Sequence, residues 1–283
     1  MAQRFMRFKD GKQKALTLSY DDGVYQDKRC IEIIDKYSLK ATFNINAGIL
    51  EDEENPEKKG KGPIRHRLGK TEVYNLYSGT HHEVAIHGLT HQFMNEIPTS
   101  QAVIEIINDR LALENLFGKR IVGGAYPFGT PSMTDDVVEI LRLCGIKYCR
   151  ATGATHSFAI PEDWLRLKPT CHHNDPCLMQ LADEFLNNGY FAKPKLFYLW
   201  GHTYEFDSNN NWNVIEEFAE KVSGKDDVWY ATNIEIYEYV EAYKRLEYFA
   251  DGKTVYNPTL IDVWMYDNGE TYKIPSGETV KIG

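Results

Sequence analysis

Short apolar runs recur along this chain at 15–20, 41–46, 83–86, 121–126, 146–150, 164–168, 196–200 and 228–231, and helical patterns fill most of the intervals. Strand, helix, strand, repeated seven or eight times, predicts an α/β fold built on a parallel sheet. The helical stretches carry their own punctuation. Residues 26–37 set Ile31, Ile34 and Tyr37 on one face, and 134–144 stops at Gly145, a fitting C-terminal cap. The stretch 100–117 carries Val103, Ile104, Ile107, Leu111 and Leu116 at helical spacing. Helices are also expected at 176–188, 213–222 and 233–249.

The polar residues decide between a barrel and an open sheet. Asp21 and Asp22, His87, Pro127-Phe128-Gly129 and His202 each follow the C-terminal end of a separate run. Groups converging from widely separated strand ends fit the mouth of a barrel better than one crevice of an open sheet. The expected fold is a distorted (β/α) barrel of seven or eight strands over residues 1–250, with a small C-terminal β appendage at 251–283. In that appendage 260–265 alternates apolar and polar, and Asp267-Asn268-Gly269 is a hairpin signal. About 30 residues are too few for an independent domain, so the appendage is expected to rest on the barrel. The charged stretch 51–70, with Pro56, Gly60, Gly62 and Pro63, reads as a solvated excursion near the mouth.

Composition removes some functions. A net charge of -9 argues against nucleic acid, which needs a basic footprint. Five cysteines, with no C-x-x-C spacing, do not suggest a disulfide framework. Cys30, Cys144 and Cys149 read as small core residues, and Cys171-His172-His173 with Cys177 as a loop rather than a second metal site. The 18 tyrosines suit sugar rings, though most are expected to serve the core. The start of the chain shows no apolar leader, which gives a cytoplasmic expectation, or an exported one if a leader precedes it. No run is long enough to predict a membrane span.

The strand ends carry the chemistry. Two adjacent carboxylates at the end of a strand point in different directions, so one can hold a cation while the other takes a proton. Two histidines and a carboxylate are enough for a metal with open positions. Such an ion polarises an amide carbonyl and acidifies water, and a free carboxylate beside it serves as base.

Four segments, Tyr20-Asp21-Asp22-Gly23, His87-Gly88-Leu89-Thr90-His91, Tyr126-Pro127-Phe128-Gly129 and Leu199-Trp200-Gly201-His202, resemble in order and approximate spacing the motifs of the polysaccharide deacetylases. The resemblance spans roughly 12–245. It implies a divalent metal, often zinc, held by Asp22, His87 and His91. It also implies Asp21 as general base, His202 as general acid, and the backbone N–H of Phe128 as an oxyanion donor. The implied reaction is removal of an acetyl group from an N- or O-acetylated sugar or polysaccharide.

Two departures stand out. The family's third motif carries an arginine that orients the base, and here that position is Ala125. With alanine there, Asp21 is expected to be less firmly ionised, unless Arg150 or Arg166 fills the gap. Only Glu162-Asp163-Trp164 remains of the fourth motif, which leaves the residue that tunes the catalytic histidine unassigned. Alternative readings are a hydrolase of another non-peptide C–N bond, such as a small or cyclic amide, and a catalytically weak carbohydrate-binding protein. Two histidines and one aspartate also form the facial triad of non-haem iron oxygenases, in which Asp21 would be idle.

Overall fold

A computed structural model describes residues 4–50, 66–187 and 193–283. Residues 51–65 of the excursion expected at 51–70, and the end of the helix expected at 176–188, lie outside the described residues.

The strands in chain order are β1 (Arg4–Arg7), β2 (Lys14–Asp21), β3 (Ala41–Ile45), β4 (Glu83–Ile86), β5 (Gly123–Ala125), β6 (Tyr148–Arg150), β7 (Cys171–His172), β8 (Lys195–Gly201), β9 (Val228–Tyr230), β10 (Glu247–Tyr248), β11 (Thr254–Tyr256), β12 (Val263–Asp267), β13 (Glu270–Ile274) and β14 (Thr279–Lys281). The helices are α1 (Asp27–Lys36), α2 (Lys70–Tyr77), α3 (Thr99–Phe117), α4 (Asp135–Leu143), α5 (Leu178–Leu186), α6 (Tyr204–Ser208), α7 (Asn213–Val222) and α8 (Asn233–Lys244).

Strands β2 to β9 form one parallel sheet in the order β6-β5-β4-β3-β2-β8-β7, and β9 adds to β2 below the point where β3 begins. This is the distorted (β/α) barrel read from the sequence. β2 is its central strand, and all eight of its residues are buried, as expected for a parallel strand covered on both faces. The run at 164–168 is not a strand. Trp164–Arg166 makes a 3-10 turn, and Leu167 then forms a single parallel bridge to Arg150. β7 follows it and pairs with β8, so one irregular segment links the two ends of the sheet path.

Local chemistry sets the helix limits. Thr134 caps α4 by accepting from the Val137 amide, and Gly145 behind it takes φ +77°. Thr232 and Glu235 form a capping box at the start of α8. That helix ends at Lys244, short of the expected 249, because Glu247 and Tyr248 pair with Tyr256 and Val255. α2 had no clear periodic signal in the sequence.

α3 reverses the face read from its periodicity. Val103, Ile104, Ile107 and Leu111 are exposed, and Ala102, Glu105, Ile106, Asp109 and Leu113 are buried. Two carboxylates are turned inward, where Asp109 accepts from the His87 and Ala47 amides and Glu105 from the Thr90 amide.

The C-terminal strands form two small antiparallel sheets, β1-β12-β13 and β10-β11-β14. Asn268 and Gly269, both at positive φ, turn the hairpin between β12 and β13. β1 comes from the other end of the chain, so this sheet draws a strand from each side of residue 250. The Tyr239 hydroxyl ties the sheet to α8 by donating to the Arg7 carbonyl and accepting from the Trp264 amide. No helix among the described residues is long and apolar enough to cross a membrane.

Candidate metal centre

β2 ends on Asp21, whose in-register neighbour on β3 is Asn44. The Asn44 amide donates to Asp21 Oδ1 at 2.8 Å, and Arg150, the last residue of β6, donates to the same oxygen through Nη2. Burial alone would raise the Asp21 carboxyl. The Arg150 charge, helped by His87 and His202, outweighs it and holds the group at about 2. This corrects the expectation that Ala125 leaves Asp21 weakly ionised. Arg150 fills the gap from the next strand. Arg166 pairs instead with Asp163 and Asp135 near the surface.

The chain turns sharply after Asp21. Asp22 has φ +86°, rare for a residue with a side chain, and this sends its carboxylate to a different side of the strand end. Arg67 fixes it, donating to the Asp22 carbonyl and to Oδ1 at 3.0 Å. The same guanidinium donates at 2.8 Å to Asn46 Oδ1, and the Asn46 amide donates to the carbonyls of His87 and Gly88. One arginine thus spans the Asp22 turn and the loop after β4. Nothing in the sequence around Arg67 marks it for that role.

His87 Nδ1 lies 2.9 Å from the Ala125 carbonyl, an acceptor only, so Nδ1 carries the proton and the lone pair is on Nε2. Nε2 stands 3.8 Å from Asp21 Oδ2 and 4.0 Å from Asp22 Oδ1, and His91 Nε2 stands 3.7 Å from Asp22 Oδ1. These separations are too long for hydrogen bonds. Ligand atoms about 2.1 Å from one tetrahedral ion stand about 3.4 Å apart, close to the spacing here. Burial lowers both imidazoles, His91 to about 4, which keeps them neutral as metal ligands must be. The donor set of Asp22, His87 and His91 fits a divalent ion.

Two other groups converge among the described residues: Asp35 with His81 and His82, and Glu205 with His172 and His173. In each, one ring has its other nitrogen occupied as an acceptor. His82 Nδ1 accepts from the Ala41 amide and His172 Nδ1 from the Asn174 amide. Their Nε2 atoms then carry protons and offer no lone pair. Cys171 is buried and belongs to neither group.

His202 follows β8, with Nε2 3.9 Å from Asp21 Oδ2 and Nδ1 2.9 Å from Glu205 Oε1. Burial pulls its pKa down, but Glu205, Asp21 and Asp22 outweigh that and raise it from its ordinary value. Glu205 Oε2 also lies 3.1 Å from His172 Nε2 and 3.0 Å from His173 Nε2. The sequence reading missed Glu205. The available signal was a carboxylate three residues after a histidine, within reach once α6 begins. Asp163, in the remnant of the fourth motif, caps its own 3-10 turn. Gly201 is needed before His202, because a Cβ there would lie 2.1 Å from His173 Nδ1.

Phe128 has φ +60°, and no acceptor among the described residues pairs with its amide. Its ring stacks on Phe93 with centroids 3.5 Å apart and meets the His91 ring edge-on at 4.6 Å. Both aspartates, His87, His91, Phe128 and His202 line one recess of about 270 Å³, together with Trp200 and Tyr126. The structure thus brings all six residues named from the sequence to one place. A larger recess of about 380 Å³ lies at the other end of β4, beside His82 and Glu83, and holds none of them.

A family model described as polysaccharide deacetylase matches residues 8–149, half of the chain. No curated protein matches. Among solved structures, a putative polysaccharide deacetylase from Mycobacterium smegmatis is 19% identical with a TM-score of 0.57, over 84% of this chain and 93% of that one. The Xyl-CE4 domain of a multidomain xylanase from the hindgut metagenome of Trinervitermes trinervoides is 16% identical with a TM-score of 0.51, over 81% and 92%. Both share the fold. A polysaccharide deacetylase from Bacillus cereus is 19% identical with a TM-score of 0.42, and the match spans 53% of this chain but only 44% of that one.

Proposed function

Since the chain belongs to the polysaccharide deacetylase family, we propose that it is a metal-dependent hydrolase that removes acetyl groups from an N- or O-acetylated sugar or polysaccharide. Asp22, His87 and His91 would hold the metal, and their nitrogen and oxygen donors suit zinc. A divalent ion bound there would supply Lewis acidity toward an acyl oxygen and toward water.

The protein's own groups account for the proton transfers. Asp21, kept ionised by Arg150, takes a proton from the water that adds to the acyl carbon. The Phe128 amide, with no acceptor among the described residues, donates to the oxygen on which negative charge develops. His202, kept protonated by Glu205, gives its proton to the departing nitrogen or oxygen as the bond to the acyl carbon breaks. The products are acetate and the free amine or hydroxyl.

One observation carries this reading above the others. Two adjacent carboxylates have separate partners: Asp22 faces two neutral imidazoles, and Asp21 is paired with a buried arginine between His87 and His202. A site that only binds sugar has no use for a buried base of this kind. The weak-binder reading rested on the missing arginine, and Arg150 removes its motive. The test is acetate release from a panel of acetylated mono- and oligosaccharides by zinc-loaded protein, beside the Asp21→Asn variant. Release by wild type alone supports the proposal. Release from small cyclic amides and from no sugar would move the reading to the other C–N hydrolases.

A further inference from the structure

In the loop between the two candidate metal-binding histidines the carbonyls are held by Asn46 and the Gly48 amide, and the amides turn toward one helix. Asp109 on α3 accepts from the His87 amide through Oδ2 at 2.9 Å and from the Ala47 amide through Oδ1 at 2.7 Å, and the Gly88 amide also faces it. One helical turn earlier, Glu105 accepts from the Thr90 amide through Oε2 and from the Thr90 hydroxyl through Oε1, both at 2.7 Å. The Glu105 carbonyl takes the Leu89 amide at 3.1 Å. Four consecutive amides, from His87 to Thr90, are thus turned toward α3.

Asp109 is fully buried and Glu105 nearly so. Burying two carboxylates one turn apart is expensive unless each oxygen is satisfied, and here every carboxylate oxygen meets a donor. The cost is borne on the face that might have held Ile104, Ile107 and Leu111, which are exposed instead. Helix α3 sends Ala102, Ile106 and Leu113 into the core beside the two carboxylates and leaves Ile104, Ile107 and Leu111 exposed.

We propose that Asp109 and Glu105 are positioning residues for the metal centre: they set the spacing and orientation of His87 and His91 and so control how tightly the metal is held. The inference rests on the reading of Asp22, His87 and His91 as ligands. It makes a distinction that a merely stabilising role would not. Both oxygens of Asp109 face backbone N–H groups, which can only donate. In Asp109→Asn one of them would meet an NH₂, so a contact is lost and a repulsion gained. Glu105 meets one N–H and one hydroxyl, and a hydroxyl can turn and accept. Glu105→Gln can therefore keep both contacts, and Glu105→Ala keeps neither.

The experiment measures zinc and cobalt affinity of the full chain by competition with a chelating dye, and records the visible spectrum of the cobalt-loaded protein. Asp109→Asn and Glu105→Ala should each weaken binding by about 10–100-fold and alter the cobalt spectrum, with Glu105→Gln close to wild type. If Asp109→Asn does not fold, the Glu105 pair decides the matter by itself. Wild-type affinity and an unchanged spectrum in Glu105→Ala, or an equal loss in Glu105→Gln and Glu105→Ala, would overturn the inference. Wild-type protein that binds neither ion overturns the metal reading itself, an outcome visible before any substitution is made.

Discussion

Arg150 and Asp21 stand 129 residues apart in sequence and meet as an ion pair inside the barrel, the guanidinium donating through Nη2 to Oδ1. The Arg150 side chain is fully buried and its guanidinium carbon lies 4.4 Å from the centre of the Trp200 ring. The ring and the Asn44 amide leave the pair one geometry, with the second Asp21 oxygen turned toward His87 and His202.

Removing the guanidinium strands a buried carboxylate. Arg150→Met should cost about 3–5 kcal/mol of stability and raise the Asp21 pKa from about 2. The base would then be lost at higher pH, so the acidic limb of the pH–rate profile should move up. In the wild type the pair's contribution to stability is present above the ordinary aspartate range and is lost as pH falls from about 4 toward 2. Denaturant melts at several pH values, with rate profiles of both proteins, check each part.

Asp21→Asn keeps the shape of the side chain and removes its basicity. It should bind zinc as the wild type does and lose about 10²–10⁴ in turnover. Metal content and acetate release, measured on the same preparation, separate the two effects. Full turnover by this variant would exclude Asp21 as the base.

The sign of the Glu205 effect is equally definite. Glu205 raises the pKa of His202, so Glu205→Gln should lower it. The acid form would then be lost at lower pH, and the basic limb of the profile should move down. Amides, whose leaving group needs a proton, should suffer more than activated esters. Equal losses on both substrates, or an unmoved limb, would count against a general acid tuned by Glu205.

Dialysis against a strong chelator should abolish turnover, and added zinc should restore it. In the His87→Ala, His91→Ala double variant added zinc should not restore it, and metal content after gel filtration should fall sharply. A double variant that keeps its zinc would move the metal elsewhere.

Much of the barrel was legible because parallel strands covered on both faces read as continuous apolar runs, and the chemistry falls just past their ends. Asp21, Asp22, His87, His91, Phe128 and His202 were found that way. Arg150 was named only as one of two arginines near strands, because which cation reaches Asp21 depends on the register of β6 against β5, and sequence carries little of that. Glu205 stands three residues from His202, far in sequence from the fourth-motif remnant Glu162-Asp163-Trp164, and it reaches the ring only because α6 begins there. The exposed stripe on α3 was misread for a different reason. Periodicity reports where apolar residues lie, and on this helix the buried face mixes Ala102, Ile106 and Leu113 with two carboxylates that meet backbone amides. The run at 164–168 has strand-like residues, yet Asp163 caps it into a turn.

The pairing of β1 with β12 has a temporal consequence. A ribosome releases Arg4–Arg7 more than 250 residues before Val263–Asp267, the segment it pairs with. Closing so long a loop is slow, and an unpaired strand edge invites contacts with other chains while it waits. Within the barrel β2 meets β3 soon after both emerge, but its pairings with β8 (Lys195–Gly201) and β9 (Val228–Tyr230) also wait for most of the chain. The two ends of the chain are therefore fastened together only after every strand of the parallel sheet has been made.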